Sequence, residues 1–243
     1  MRTERLEFTN PKGENLAALM DLPLGKPNAF ALFAHCFTCG KDNLAAKRIS
    51  ERLAMSGIGV LRFDFTGLGT SEGEFADTHF SSNVDDLVAA ADCLRKSRGT
   101  PAILIGHSLG GAAVLAAAHR IPDAVAVVTI AAPCDPAHVT GLFKEHIDKI
   151  RNQGEVQVSL AGRSFRIKRE FLDDVAEQKI TGHLASLRKA LLVFHSPTDD
   201  IVGIENASRI FTSAKHPKSF VSLAGADHRE RAQITTQRKR GCV

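Results

Sequence analysis

Apolar residues in this chain fall into short unbroken runs that alternate with longer segments of helical spacing. Arg5–Thr9 and Leu16–Leu22 read as two opening strands joined through Asn10-Pro11-Lys12-Gly13, a turn-rich tetrad that predicts a hairpin. Ala29–Ala34 is a fully apolar strand, and Asn43–Ala54 has helical spacing, with Leu44, Ile49 and Leu53 on related faces. Ile58–Phe63 predicts a strand, Ser82–Leu94 a helix, Ala102–Ile105 a strand, and Ala124–Ile130 a further buried strand. Continuous apolar strands separated by helices imply an α/β architecture, a mostly parallel central sheet covered on both faces.

The rhythm breaks after Ile130. From Pro136 to about Leu187 the chain offers two alternating runs about a glycine, Val156–Leu160 and Ser164–Ile167, then a polar helix-like segment through Phe171-Leu172-Asp173-Asp174. An insertion of about fifty residues between sheet strands is expected to be a small lid or cap rather than a loose loop. The sheet resumes with Ala190–Phe194, a helix over Glu205–Phe211 and a last strand Ser219–Leu223. No repeat or low-complexity linker divides the 243 residues, so a single domain over 1–243 is expected.

Charge does not characterise the main body. Arg229, Arg231, Arg238, Lys239 and Arg240 against Glu230 place a charge of +4 in residues 229–243, which leaves the first 228 residues neutral. This basic tail reads as a solvated terminus. No basic stripe with interleaved aromatics supports nucleic-acid binding. The N-terminus lacks the apolar core of a secretory signal and no stretch is long enough to span a bilayer, so a cytoplasmic location without membrane association is expected. Five cysteines, an odd number without an export signal, are expected as reduced thiols.

The chemistry concentrates at Ile103-Leu104-Ile105-Gly106-His107-Ser108-Leu109-Gly110-Gly111 and the alanine-rich run after it. A β-branched run breaks at glycine, presents one serine and turns through small residues into a helix, as a G-x-S-x-G nucleophile elbow requires. The helix would start at the serine, with its N-terminal amides facing any developing negative charge. A second match, Gly69-Thr70-Ser71-Glu72-Gly73, follows a strand but leads into a polar loop. Ser71 is therefore expected to be a loop residue and Ser108 the nucleophile.

A serine hydroxyl needs a histidine base oriented by a carboxylate, and in this elbow context the order is Ser, Asp or Glu, His. His216 precedes the last strand and so lies at the wrong sheet edge, and His195 precedes any acid that could follow it. His228, just past the last strand, satisfies both conditions. Asp199, after the strand ending at His195, is the expected acid, with Asp200 a solvated neighbour and Asp135 a weaker candidate. An oxyanion hole would use the amides of Leu109, directly after the nucleophile, and Phe37, in the turn after Ala29–Ala34.

The chain resembles the α/β-hydrolase family, and more narrowly the hydrolase half of proteins that fuse such a domain to an OsmC-like domain. The carrying segments are Phe33-Ala34-His35-Cys36-Phe37-Thr38-Cys39, Leu61–Gly69, Gly106–Gly111 and Gly225-Ala226-Asp227-His228. The resemblance implies Ser108, Asp199 and His228 as a triad, with ester hydrolysis the default activity. No OsmC-like domain follows, so a function of the fused pair is expected to be absent or supplied in trans. The family places an amphipathic helix after the histidine; Arg229–Val243 offers Ala232, Ile234 and Val243 without an apolar stripe, which leaves the His228 loop less braced.

Two other classes compete. Cys36-Phe37-Thr38-Cys39 lies between a strand and a helix, where a redox Cys-x-x-Cys would sit. With His35 the pair supplies three zinc-type ligands and no fourth, so no metal is expected. The other alternative is a non-catalytic binding module on the same fold. The reading favoured by the residues is a serine carboxylesterase acting on small to medium acyl esters, aromatic ones left open, without metal or organic cofactor. Its partner is a small-molecule ester, and the sequence sets no oligomeric state.

Overall fold

The opening runs pair with each other: β1 (Arg2–Thr9) and β2 (Asn15–Leu22) are antiparallel from Arg2↔Leu22 to Thr9↔Asn15. Alternation then does its usual work, burying Leu16, Ala18, Met20 and Leu22 along one face of β2. The computed structural model describes residues 1–228, so the basic tail 229–243 lies outside the described residues. In chain order β3 (Ala29–Ala34), α1 (Leu44–Met55), β4 (Ile58–Phe63), α2 (Phe80–Ser97), β5 (Pro101–His107), α3 (Leu109–Ala117) and β6 (Ala126–Ile130) follow. After them come α4 (Ile147–Gln153), β7 (Glu155–Leu160), β8 (Arg163–Lys168), α5 (Arg169–Glu177), α6 (Ile180–Leu184), β9 (Ala190–His195), α7 (Glu205–Ser213) and β10 (Lys218–Ser222).

The sheet has the order β1-β2-β4-β3-β5-β6-β9-β10, with β2 antiparallel to β4 and every pair from β4 to β10 parallel. Side-chain alternation in the parallel strands feeds two cores. Leu32, Leu61, Leu104 and Val127 face α2 and α3, while Ala31, Phe33, Val60 and Ile105 face α1. Helices therefore cover both faces, as the alternating pattern predicts. This is an α/β-hydrolase fold. No helix among the described residues is long and apolar enough to cross a membrane.

Parallel strands put all their carboxyl ends on one rim, and the loops leaving that rim carry the candidate chemistry. The loop after β3 holds His35 to Asn43, the turn after β5 holds Ser108, the loop after β9 holds Asp199, and the loop after β10 holds His228.

Between the adjacent strands β6 and β9 the chain inserts a kinked 3₁₀ run (Pro136–His146), α4, the hairpin β7–β8, α5 and α6. The hairpin and α5 match the sequence pattern. The Pro136–His146 run and α4 do not, because the run is broken at Phe143 (φ −141°) and carries no 3.6-residue period. Polar and aromatic contacts fix the insertion. Asp174 of α5 accepts from the Ser81 amide (2.9 Å) and the Ser81 hydroxyl, satisfying a donor in the first turn of α2 that has no intrahelical partner. Lys168 pairs with Asp77. Phe171 packs on Phe37 (5.3 Å between centroids) and Phe165 on Phe75 (4.8 Å), with Phe37 and Phe75 in turn 5.4 Å apart.

Asp174→Ala should cost about 1–2 kcal/mol in urea unfolding, the range for losing a helix-capping acceptor, and should open residues 136–187 to limited proteolysis. Equal protease resistance in the two proteins would place the anchor elsewhere.

Candidate active site

One residue reverses the chain between β5 and α3. Ser108 has φ 54° and ψ −126°, a strained conformation for a residue with a side chain, held by its amide donating to the Ile130 carbonyl at 2.9 Å. The turn closes because its neighbours lack side chains. A Cβ on Gly106 would lie 2.2 Å from the Gly110 carbonyl oxygen, and one on Gly110 would lie 2.4 Å from the carbonyl oxygens of Ala34 and His35. The elbow is thereby wedged against the loop after β3.

The loops after β9 and β10 bring two further side chains to the serine. His228 Nε2 lies 3.0 Å from Ser108 Oγ, and His228 Nδ1 lies 2.8 Å from Asp199 Oδ2. With Nδ1–H facing a carboxylate, Nε2 of the neutral ring is an acceptor for the serine hydroxyl. Asp199 is fixed by two more donors, the Ile201 and Val202 amides at 3.0 and 2.9 Å on Oδ1. Burial alone would raise its pKa; the His228 hydrogen bond and the two amides outweigh burial and hold the carboxyl below its usual range. A hydroxyl, an imidazole and an ionised carboxylate in this line can pass a proton away from Ser108.

The His228 loop is braced from two sides. Ser196 Oγ donates to the Ala226 carbonyl at 2.6 Å, and His107 Nε2–H donates to the His228 carbonyl at 2.9 Å. His107 is buried and its ring lies 5.4 Å from that of His228; burial pushes its pKa down to about 4, which keeps it neutral. Sequence reasoning assigned His107 no role, and no local signal marks its contact with a residue so distant in sequence.

Beside the elbow, Leu109 is the first residue of α3, so its amide has no intrahelical acceptor. The Phe37 amide has no acceptor among the described residues. Its loop is anchored before it by His35 Nδ1–H on the Cys36 carbonyl (2.8 Å) and after it by the Lys41 amide on Asp64 (2.6 Å). The expectation of reduced thiols fails here. Cys36 and Cys39 are joined, because the turn closed by Cys39 N–H on the Cys36 carbonyl brings their Cα atoms to 5.3 Å, within disulfide reach. Cys93 and Cys134 are free.

Residues set aside in the sequence are accounted for. Ser71 accepts from the Ala17 amide (2.9 Å) and donates to the Asp64 carbonyl (2.6 Å), a loop staple with no histidine. Asp135 caps the 3₁₀ run through the Ala137 amide, Asp200 is exposed, and His195 is buried with Nε2–H on the Val202 carbonyl. Among the described residues no cluster of His, Cys, Asp or Glu could hold a metal ion.

Residues 28–164 match the family model Hydrolase_4, described as serine aminopeptidase, S33. The chain belongs to this family. Mouse mitochondrial palmitoyl-protein thioesterase ABHD10 is 25% identical to this Hydrolase_4 protein over 217 residues, 84% of this chain and 70% of the mouse protein. Human monoglyceride lipase is 32% identical over 116 residues, 46% of this chain and 38% of the lipase. The crystal structure of the esterase domain of a Rhodothermus marinus protein is 48% identical, covers 95% of this chain and 91% of that one, and superimposes with a TM-score of 0.75. Est1E of Butyrivibrio proteoclasticus with bound ferulic acid shares the fold at 20% identity, covering 93% and 91% of the two chains with a TM-score of 0.76. The protein is thus an α/β hydrolase of esterase type.

His107 and His35 give the fold an acid limit. An unfolded histidine binds its proton near pH 6.5 and folded His107 near 4, so stability is full above the upper value and drains as pH falls between the two; burial lowers His35 in the same direction. Thermal unfolding should show a falling midpoint across that window, and His107→Gln should flatten the fall while keeping a donor for the His228 carbonyl. His107→Phe, which removes the donor, should lower turnover by about tenfold through misplacement of the base.

Proposed function

We propose that this chain is a serine carboxylesterase for small to medium acyl esters. The observation that carries the reading is the single hydrogen-bonded line Ser108–His228–Asp199, at 3.0 and 2.8 Å. Ser108 Oγ attacks the ester carbonyl as His228 Nε2 takes its proton. Asp199, ionised and held by the Ile201 and Val202 amides, keeps the ring in the tautomer that accepts this proton and stabilises the imidazolium. The carbonyl oxygen becomes an oxyanion facing the Phe37 and Leu109 amides. The tetrahedral adduct collapses with proton return from His228 to the leaving alcohol, and water hydrolyses the acyl-enzyme through the same base.

Supporting the ester class are the 48% identity to a protein described as an esterase domain and an aromatic cap directly over the oxyanion loop. Phe37, Phe143, Phe165 and Phe171 are all buried there, which makes the neighbourhood of the Phe37 loop apolar, as an acyl group would require.

A p-nitrophenyl ester series from acetate to palmitate, with an S-acyl thioester as comparison, tests the reading. Turnover should be highest for short to medium acyl chains, and Ser108→Ala should lower kcat by at least about 10³-fold. A fluorophosphonate probe should label the wild type and leave Ser108→Ala unlabelled. No labelling of either protein would leave the binding-module alternative standing instead.

A further inference from the structure

The loop that presents the Phe37 amide is also closed by a covalent crosslink. Cys36 and Cys39 bond Sγ to Sγ, with Phe37 and Thr38 inside the ring. Other contacts hold the same stretch: His35 donates to the Cys36 carbonyl within the ring, and behind the ring the Lys41 ammonium lies 2.5 Å from Asp64. Packing against Phe75 and Phe171 fixes the Phe37 side chain, while its amide belongs to the Cys36–Phe37 peptide, whose carbonyl accepts from His35 Nδ1–H at 2.8 Å and from the Cys39 amide at 3.1 Å. The crosslink joins the two residues of that second hydrogen bond and keeps the turn it closes from opening.

Three features make the bond a reactive site and not a staple of the fold. Cys36 and Cys39 are both partly exposed residues at the carboxyl rim of the sheet, whereas Cys134 is buried. Asn43 Nδ2 donates to Cys39 Sγ at 3.4 Å, which favours charge on that sulfur and makes it the better leaving group. A crosslink between residues three apart constrains the unfolded chain far less than a long-range bridge, so the fold does not depend on it.

We propose that Cys36–Cys39 is a thiol–disulfide exchange site through which a dithiol reductant lowers the hydrolase activity. The proposal rests on the esterase reading of Ser108 and Phe37 above. A thiolate of the reductant attacks Cys36 Sγ, forms a mixed disulfide and expels Cys39 as thiolate. The reductant's second thiolate then attacks its own bonded sulfur and releases Cys36. Two electrons pass to the protein pair, the reductant departs as its cyclic disulfide, and the two protons it gave up neutralise the new thiols. With the ring open the Cys39 amide's hydrogen bond to the Cys36 carbonyl loses its covalent backing, and the peptide that carries the Phe37 amide is held less firmly toward the oxyanion.

The full chain, oxidised and then treated with dithiothreitol, is compared by thiol titration in denaturant, by p-nitrophenyl acetate kinetics and by far-ultraviolet circular dichroism. Reduction should expose two more thiols per chain and lower kcat on the order of tenfold, part of the loss seen on deleting an oxyanion donor. KM and the dichroism should hold, since the amide acts in the transition state, and reoxidation should restore the rate. The double variant Cys36→Ser with Cys39→Ser should sit at the reduced rate and ignore dithiothreitol. A thiol count that never changes overturns the site; equal kcat in both states, or an effect carried by KM, overturns its coupling to catalysis. A chain that neither turns over esters nor takes the fluorophosphonate in either state overturns the esterase reading, and the coupling with it.

Discussion

The architecture of the site hangs on one steric condition: the elbow and the loop after β3 meet backbone to backbone. Gly110 lies where any side chain would strike the carbonyls of Ala34 and His35, and Gly106 lies where one would strike Gly110 itself. This absence of two Cβ atoms lets Ser108 take its strained turn, brings the first amide of α3 next to the Phe37 loop, and sets the reference point that His228 must reach from β10. The strain at Ser108 is local, and the surrounding parallel strands are rigid enough to impose it.

Polar groups behind the rim are paired almost as strictly as the core is packed. Asp64 collects the Lys41 amide and ammonium and the Thr70 amide, while Arg62 joins Asp21 to the Lys41 carbonyl. The two ion pairs are deeply buried. Each costs desolvation that its own hydrogen bonds must offset, and removal of one partner would strand a charge inside. What they yield is position, since β2, β4 and the loops at 41 and 70 share a single network. His35 differs, since its Nε2 is buried without a partner among the described residues.

Sequence periodicity carried the strands well, because a parallel strand buried on both faces is an unbroken apolar run, as in Ala29–Ala34 and Ile58–Phe63. Context also separated the two G-x-S-x-G matches: a helix must follow the nucleophile, and only Ser108 heads one. The candidate acid and base were chosen by chain order and sheet edge, both consequences of parallel topology. What stayed hidden shares one property, being set by contacts between residues remote in sequence. His107 meeting the His228 carbonyl is one such case, and Asp174 meeting α2 is another. The Cys36–Cys39 link is local, but it was obscured by an argument from cysteine count that says nothing about a turn able to bring two sulfurs together.

The rings of Phe165, Phe75, Phe37 and Phe171 form an uninterrupted relay from the inserted hairpin and α5 to the loop that meets the elbow. The insertion and the loop beside the elbow are therefore not separable modules in this protein. A mutation that reshapes the insertion perturbs the packing that seats Phe37. Divergence of the insertion would have to proceed by compensated pairs of changes, one in the insertion and one in the loop beneath it.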